Sequence, residues 1–173
     1  KFKGIDMGNF IITKCRGVIS SALLVALASS CSSSGDSNGE NVSTSWARKW
    51  NQFAVDSSGI DHQSGYLEQL GPLKASRAMA IVHIAMADAV AAITGKFDSY
   101  LPVDPAPSAS MKGAISKAAH DTLYALFPKQ RTRIDEFYQA ELSEIGNDPG
   151  LQEGIALGAK TAKAILDNRT NDG

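Results

Sequence analysis

The amino-acid sequence predicts an all-α protein, a helical bundle around a buried central helix at about residues 73–95. Two observations carry this prediction. Apolar residues recur along most of the chain at the spacing of one helix face, and no segment shows the alternation that marks a strand. Proline and glycine stand between the periodic segments, where helices begin and end. Five main helices are expected, packed against antiparallel neighbours.

The segment 73–95 is the longest stretch that is both apolar and free of helix breakers. Pro72 precedes it, where proline favours the first turn of a helix, and Gly95 stands where a glycine ends one. Apolar residues fall on every face, which is typical of a buried helix. The apolar run also carries His83 and Asp88 and is shorter than the roughly 20 residues that a bilayer requires. We therefore predict a core helix of a soluble domain rather than a membrane span.

Residues 1–31 are predicted to be an export signal. Lys14 and Arg16 precede an apolar stretch at 18–28, which is the order of the charged and apolar regions of a signal peptide. The stretch leads into Cys31 within Ala-Ser-Ser-Cys, which resembles a bacterial lipobox and predicts lipidation of that cysteine. An ordinary secretory signal is the alternative. The expected location is the periplasm or the outer membrane, with the lipid anchor as the contact with the membrane.

Residues 32–44 are rich in Ser, Gly and Asn and predict a flexible tether to a folded helical domain at 45–173. The two cysteines are Cys15, inside the signal, and Cys31, at its end. The mature domain therefore has no disulfide framework and no cysteine-based metal site. With 17 basic and 18 acidic residues, the chain shows no sign of a nucleic-acid partner.

Ser45 is predicted to cap the first helix of the domain, because Trp46 and Trp50 follow it on one apolar face. Residues 56–71 contain three glycines and no sustained period, so they predict a loop. A second ordered loop or extended crossing is expected at 97–107, where three prolines interrupt any helix.

Two further helices are predicted after the second loop. The first begins at Ser108 or Ser110 and is ended by Pro128, and the second covers 129–145, with Gly146 after its last residue. Each helix carries one apolar stripe. The two stripes are Met111, Ile115, Ala118, Thr122 and Leu126, and Ile134, Phe137, Tyr138, Leu142 and Ile145.

The last helix is predicted to begin with Asp148 as its N-cap and Pro149 in its first position. Gly154 and Gly158 offer a flat surface on which a neighbouring helix can pack closely. The apolar stripe of this helix consists of Leu151, Ile155, Ala159, Ala162 and Leu166.

Arg77 and His83 are weak candidates for catalytic residues. Phosphate-handling enzymes use an arginine and a histidine at this spacing, the first to hold the anion and the second as nucleophile or acid–base. On a continuous helix, however, six positions place the two side chains about 120° apart with roughly 9 Å of rise between them. We therefore expect a buried His83 hydrogen-bonded to a neighbouring helix and a paired Asp88. No catalytic, cofactor-binding or metal-binding residue is expected in this chain.

Three other groups of polar residues have expected structural roles. The Asp61-His62 pair could bind a metal or cap a turn, and capping is the expected role. His120 and Asp121 lie inside a helix, where their side chains are expected to point in different directions. The acidic residues of the helix at 129–145 are expected to form a solvent-exposed face; they are Asp135, Glu136, Glu141 and Glu144.

Several runs of the sequence resemble the N-terminal helical region of bacterial vanadium-dependent haloperoxidases, which belong with the type 2 phosphatidic acid phosphatases. The runs are WNQFAVDSSGIDH, GPLKASRAMAIVHIAMADAVAAI, YLPV, AAHDTLYALFP and GIALGAKTAKAILDNRTNDG. The resemblance covers about residues 46–173. It implies an all-α enzyme of two bundles whose vanadate or phosphate pocket lies in the C-terminal half.

In that family, three sequence motifs form the anion pocket. They are Lys with six residues before Arg-Pro, then Ser-Gly-His, then Arg with a downstream His. This sequence contains no Arg-Pro and no Ser-Gly-His, so the resemblance carries no catalytic residue over. It implies that the chain is the N-terminal, non-catalytic half of an exported haloperoxidase-like protein. The expected partner is the C-terminal helical half of the same protein, and vanadate is the cofactor expected in the complete protein. Homo-oligomerisation is left open.

Two alternatives remain for the function. The complete protein could be an acid phosphatase-like enzyme of the same superfamily, which would hydrolyse phosphate esters through a histidine rather than oxidise halide with peroxide. The chain could also be a stand-alone helical lipoprotein that binds a partner and catalyses nothing.

Overall fold

A computed structural model describes residues 37–172, with side chains from residue 42 onward, and this part of the chain is an all-α bundle. The predicted fold class is confirmed, and no strand occurs among the residues described. The helices are α1 Ser37–Gln63, α2 Pro72–Thr94, α3 Met111–Leu126, the 3-10 helix Pro128–Gln130, α4 Arg131–Ile145 and α5 Leu151–Asn168.

The helix α1 begins earlier than the sequence predicts. Its first residue is Ser37, so residues 37–44 of the predicted tether are helical, and residues 32–36 lie outside the described part. Ser45 is therefore inside the helix and is not its N-cap. The Ser45 hydroxyl donates to the carbonyl of Val42 at 3.1 Å, a bond within one helical turn that satisfies the side chain without a cap.

The same helix also continues through the first half of the loop predicted at 56–71. Ser57 and Asp61 are fully buried, which holds this part of α1 against the bundle. A Cβ added to Gly59 would meet no other atom within 4 Å, so the glycine is not required by a close approach. The burial of one face outweighs the roughly 1 kcal/mol that a glycine costs inside a helix.

The bounds of α2 agree with the prediction to within one residue. Pro72 is its first residue, and Gly95 ends it in the left-handed conformation, donating its N–H to the carbonyl of Ala91. By length and composition, α2 is the one helix of the described chain that could cross a membrane. Half of its apolar window is buried inside the bundle.

The predicted burial of α2 on every face is wrong. The helix packs against α1, α3 and α5, and one strip of its surface stays exposed in the part of the chain described. Ala80, His83 and Ala87 are exposed there, and Ile84 between them is half-buried. We call these four residues the open face of α2. Composition predicted an apolar helix correctly, but it could not show how many neighbours the helix would have.

The helix α3 contacts all of α1, α2, α4 and α5. Ser110 is its N-cap, because its hydroxyl accepts the N–H of Gly113 at 3.2 Å. The helix ends at Leu126, before Pro128, as predicted. Four residues of its predicted stripe are buried: Ile115, Ala118, Thr122 and Leu126.

Glycines allow α3 and α5 to pack backbone against backbone. A Cβ added to Gly154 would overlap the carbonyl oxygen of Ser110, and one added to Gly158 would overlap that of Ala114. Both glycines are buried. The flat surface predicted from these two glycines is therefore the contact with α3.

The start of α5 differs from the prediction. The helix begins at Leu151 with Gly150 in the N-cap position, so Asp148 does not cap it. The Asp148 carboxylate instead accepts the Ser110 hydroxyl at 2.6 Å and supports the start of α3. The most buried side of α5 is also rotated from the predicted stripe; its buried residues are Gly154, Leu157, Gly158, Thr161, Ala162 and Ile165.

Two tryptophans fasten α1 to α3. The indole N–H groups of Trp46 and Trp50 both donate to the hydroxyl of Ser116, at 2.9 and 3.1 Å. Trp50 is fully buried, and its ring meets Phe53 and Phe137 edge to face. The apolar face that predicted the first helix is thus the part of α1 that enters the core.

Ala85→Glu and Ala89→Glu, at fully buried positions of α2, are each expected to reduce the free energy of unfolding by several kcal/mol, out of the roughly 5–15 of a whole domain. Ala87→Glu, on the open face of the same helix, is the matched control and is expected to change it by less than about 0.5 kcal/mol. Urea denaturation followed by circular dichroism measures all three variants. Equal losses in the three, or none in the first two, would contradict the orientation of α2.

Candidate functional site

A cleft at the N-terminal end of α2 contains Arg77, one of the two candidate residues. The cleft has a volume of about 310 Å³ and lies between α2 and the C-terminal end of α5. Its lining residues are Leu73, Ser76, Arg77, Ala80, Ile81 and Arg169. Two guanidinium groups beside an apolar wall could hold an anion, so the partners of these arginines decide what the cleft can do.

Both arginines of the cleft are already paired within the fold. The Arg77 Nε donates to the Asp172 carboxylate at 2.8 Å, and its Nη2 donates to the carbonyl of Arg169 at 2.6 Å. Arg169 donates to the same carboxylate at 3.2 Å. The hydrogen bond from Arg77 lowers the pKa of Asp172 below its ordinary value, so the carboxylate is ionised at neutral pH. Arg77 therefore ties the start of α2 to the end of α5.

His83, the other candidate, lies on the open face of α2. Its Nε2 is 3.1 Å from the side-chain oxygen of Asn51 on α1, and its Nδ1 is 2.7 Å from the carbonyl of Met79. The predicted hydrogen bond to a neighbouring helix is confirmed, but the predicted burial is wrong, because His83 is exposed even with Asn51 beside it.

The geometry of Arg77 and His83 does not fit a vanadate or phosphate pocket. Such a pocket needs several donors directed at one point. The guanidinium of Arg77 is directed at Asp172 and the end of α5, whereas His83 is directed at α1. Within residues 37–172, no group of three or more His, Cys, Asp and Glu side chains is placed to hold a metal ion. No catalytic step is assigned to these two residues.

Asp88 is buried, and its partners are backbone N–H groups rather than a cation. Its two carboxylate oxygens accept the N–H of Tyr100 at 2.6 Å and that of Leu101 at 3.1 Å. A charged acceptor bonded to two backbone donors makes strong hydrogen bonds. The prediction of a paired Asp88 is thus confirmed, and the pairing is what orders the loop predicted at 97–107.

Asp61 fixes the loop after α1 in the same way. Its carboxylate oxygens accept the N–H of Glu68 at 2.8 Å and that of Gln69 at 2.9 Å. The neighbouring His62 accepts the N–H of Gly71 at 3.2 Å. The Asp61-His62 pair therefore caps a turn, which is the role that the sequence favours.

The sequence did not predict a polar cluster between α3 and α4, formed by His120, Asp121 and Asp135. The two ring nitrogens of His120 lie 2.7 Å from the Asp121 carboxylate and 2.8 Å from that of Asp135. The expected divergence of His120 and Asp121 is therefore wrong. The spacing of residues along one helix gives no sign of this contact, because Asp135 belongs to the next helix.

Burial and neighbouring charges shift the pKa values of Asp121 and Tyr138 in this cluster. Burial acts to raise the pKa of Asp121, but hydrogen bonds from His120 and Lys117 lower it below its ordinary value. Such a carboxylate stabilises the fold at neutral pH, and the contribution is lost as the pH falls through its lowered pKa. Burial, together with the charge of Asp121, raises the pKa of Tyr138 to about 12, so this phenol stays protonated. The cluster therefore joins α3 to α4.

The acidic face predicted for α4 is exposed only in part. Glu141 is buried and accepts a hydrogen bond from Lys49 of α1 at 3.3 Å, and Glu144 binds the same ammonium at 2.6 Å. Burial raises the pKa of Glu141, although Lys49 opposes the shift. The prediction of a solvated face is thus wrong for Glu141, which connects α4 to α1, whereas Asp135, Glu136 and Glu144 are exposed as predicted.

Comparisons with protein families, with curated proteins and with solved structures find no match to this chain. The resemblance to haloperoxidases therefore stays a prediction from the sequence runs themselves. Cys31 and the signal at 1–31 lie outside the described residues, so lipidation stays a prediction as well. The fold and the cleft define an all-α bundle whose ionisable residues connect helices and loops.

The purified chain is expected to show no micromolar binding of vanadate and no peroxidase or phosphatase turnover. The physical reason is that Arg77 is bonded to Asp172 and His83 is directed elsewhere. Isothermal titration with vanadate, beside assays of halide oxidation and phosphoester hydrolysis, measures this.

His83→Gln is the diagnostic variant for that titration. Because His83 is exposed, the substitution is expected to change the free energy of unfolding by less than about 1 kcal/mol. Micromolar vanadate binding that disappears in this variant at an unchanged melting temperature would contradict the structural role of the residue and would assign an anion site to α2.

Proposed function

We propose that this chain is the non-catalytic helical scaffold of an exported haloperoxidase-like protein. Its role is to hold, through the open face of α2, the helical half that carries the anion pocket. The open face carries the proposal, because the most apolar segment of the domain leaves Ala80 and Ala87 exposed and Ile84 half-buried on one side. A contiguous apolar surface bordered by polar residues is typical of contact with another protein.

The partners of the ionisable residues support a scaffold rather than a catalyst. A catalytic acid, base or anion donor must be able to reach a substrate. Arg77 is engaged by Asp172, Asp88 holds a loop, and His120 is held between two aspartates. These bonds connect helices and loops to one another, and a rigid helical framework is what a supporting half must provide.

In the complete protein, vanadate would supply the activation of peroxide for halide oxidation, and phosphoester hydrolysis is the alternative chemistry of the same superfamily. The protein would be exported to the periplasm or the outer membrane, with Cys31 as its lipid attachment. A stand-alone lipoprotein that binds a partner through the open face is the competing function. A gene that continues past codon 173 with the Arg-Pro and Ser-Gly-His blocks favours the enzyme, and a stop codon there favours the lipoprotein.

The open face can be tested by comparing one substitution in two contexts. In a protein that contains both helical halves, Ala87→Glu is expected to cost several kcal/mol, because the other half would then cover the new charge. In the present chain alone the same substitution is expected to be nearly neutral. Urea denaturation of both proteins measures the difference, and Ala85→Glu, buried in both, is the positive control. An Ala87→Glu variant that is neutral in both proteins would rule out the open face as the contact.

A further inference from the structure

Three leucines are exposed within seven residues at the start of α2 and in the loop before it. Leu67 is 50% exposed, Leu70 51% and Leu73 84%. We call them the leucine cluster. Single exposed leucines are ordinary on a protein surface, but three within seven residues concentrate apolar surface in one short segment, and concentrated apolar surface marks binding sites.

The loop that carries the cluster is held firmly, so the outward position of the leucines is imposed by the fold. Glu68 and Gln69, which lie between two of the leucines, donate their N–H groups to the buried Asp61. The Gln69 side chain donates to the carbonyl of Leu126 at 2.9 Å, and the Glu68 carboxylate accepts the N–H of Lys129 at 2.9 Å. The loop is thereby fastened both to α1 and to the turn between α3 and α4.

The backbone of Leu67 is strained. Its φ of 58° lies in the left-handed region, which residues with a Cβ rarely adopt. The conformation is fixed from both sides, since Leu67 donates its own N–H to the carbonyl of Asp61 at 3.3 Å and the next residue is bonded to the Asp61 carboxylate. Strain that the surrounding structure maintains is concentrated at functional sites.

Two basic residues adjoin the leucine cluster. Lys74 directly follows Leu73 and is exposed, as is Lys129 in the neighbouring turn. Lys129 also donates to the carbonyl of Tyr66 at 3.0 Å, which places its ammonium beside the loop. The acidic residue of the loop, Glu68, is turned toward the Lys129 backbone. The chain as a whole has a formal charge of −1, so this positive charge is local.

We propose that the leucine cluster is a membrane-contact site, whose leucines enter the headgroup–acyl boundary of an anionic bilayer. Apolar side chains with lysines beside them are a combination that binds such a surface, because the leucines leave water while the cations approach lipid phosphates. The contact belongs to the folded domain and is independent of lipidation at Cys31 and of the proposed scaffold function. It orients the loop between α1 and α2 toward the bilayer.

The test places a fluorescent reporter in the cluster of the full chain. Leu70→Trp is compared with Val55→Trp, an equally exposed position on α1, where Val55 is 49% exposed. Vesicles of phosphatidylcholine and phosphatidylglycerol with brominated acyl chains quench a tryptophan that reaches the acyl boundary. The native Trp46 and Trp50 are buried and give the same background in both variants.

We expect the Leu70→Trp emission to shift to the blue and to be quenched by brominated vesicles at least twice as strongly as the Val55→Trp emission. Leu73→Trp is a second reporter and should behave as Leu70→Trp does. Lys74→Glu added to Leu70→Trp should weaken the quenching, and more so at low salt.

Equal quenching at positions 55 and 70, or no quenching at 70 and 73, would overturn the proposal. A blue shift at position 70 that grows with protein concentration in the absence of vesicles would also overturn it, because the cluster would then join two copies of the chain. Circular dichroism melts of each variant establish that the compared proteins are folded.

Discussion

The close backbone contact between α3 and α5 is the constraint on which the rest of the bundle depends. Gly154 and Gly158 allow it, since a side chain at either position would overlap a carbonyl oxygen of α3. The helix α2 lies against both α3 and α5, and α1 and α4 pack against α3. The separation of α3 and α5 therefore sets the surface on which α2 rests, and with it the direction of the open face. A packed interior has little free space to absorb a wider separation.

Polar side chains complete this architecture at the helix ends. Asp61 and Asp88 each hold the loop that follows a long helix, through backbone N–H groups rather than cations. Arg77 connects α2 to the end of α5, and His120 connects α3 to α4. The two surfaces left for other molecules differ in chemistry. The open face of α2 carries two alanines, which let another helix approach closely, whereas the leucine cluster has large exposed side chains and basic neighbours.

Local signals predicted the helices well, because periodicity, proline and glycine act within a few residues. They predicted both ends of α2 to within one residue, and they predicted that Gly154 and Gly158 form a surface for close helix packing. Contacts between distant segments were not accessible in this way. Asp148 was expected to cap its own helix, but it binds Ser110, 38 residues away. His83 was expected to be buried, because the composition of α2 shows that it is apolar but not which of its sides has a neighbour. The haloperoxidase resemblance remains a sequence prediction.

Gly158→Ala compared with Gly59→Ala tests the α3–α5 contact most directly. Both variants replace a helical glycine by alanine, which by itself favours the helix by roughly 0.5–1 kcal/mol. At position 59 the new methyl group meets no atom within 4 Å, so urea denaturation should show that gain. At position 158 it overlaps the backbone of α3, so a net loss of about 1–3 kcal/mol is expected. If Gly158→Ala stabilises the protein as much as Gly59→Ala does, α3 and α5 are not in backbone contact, and the account of the bundle is contradicted.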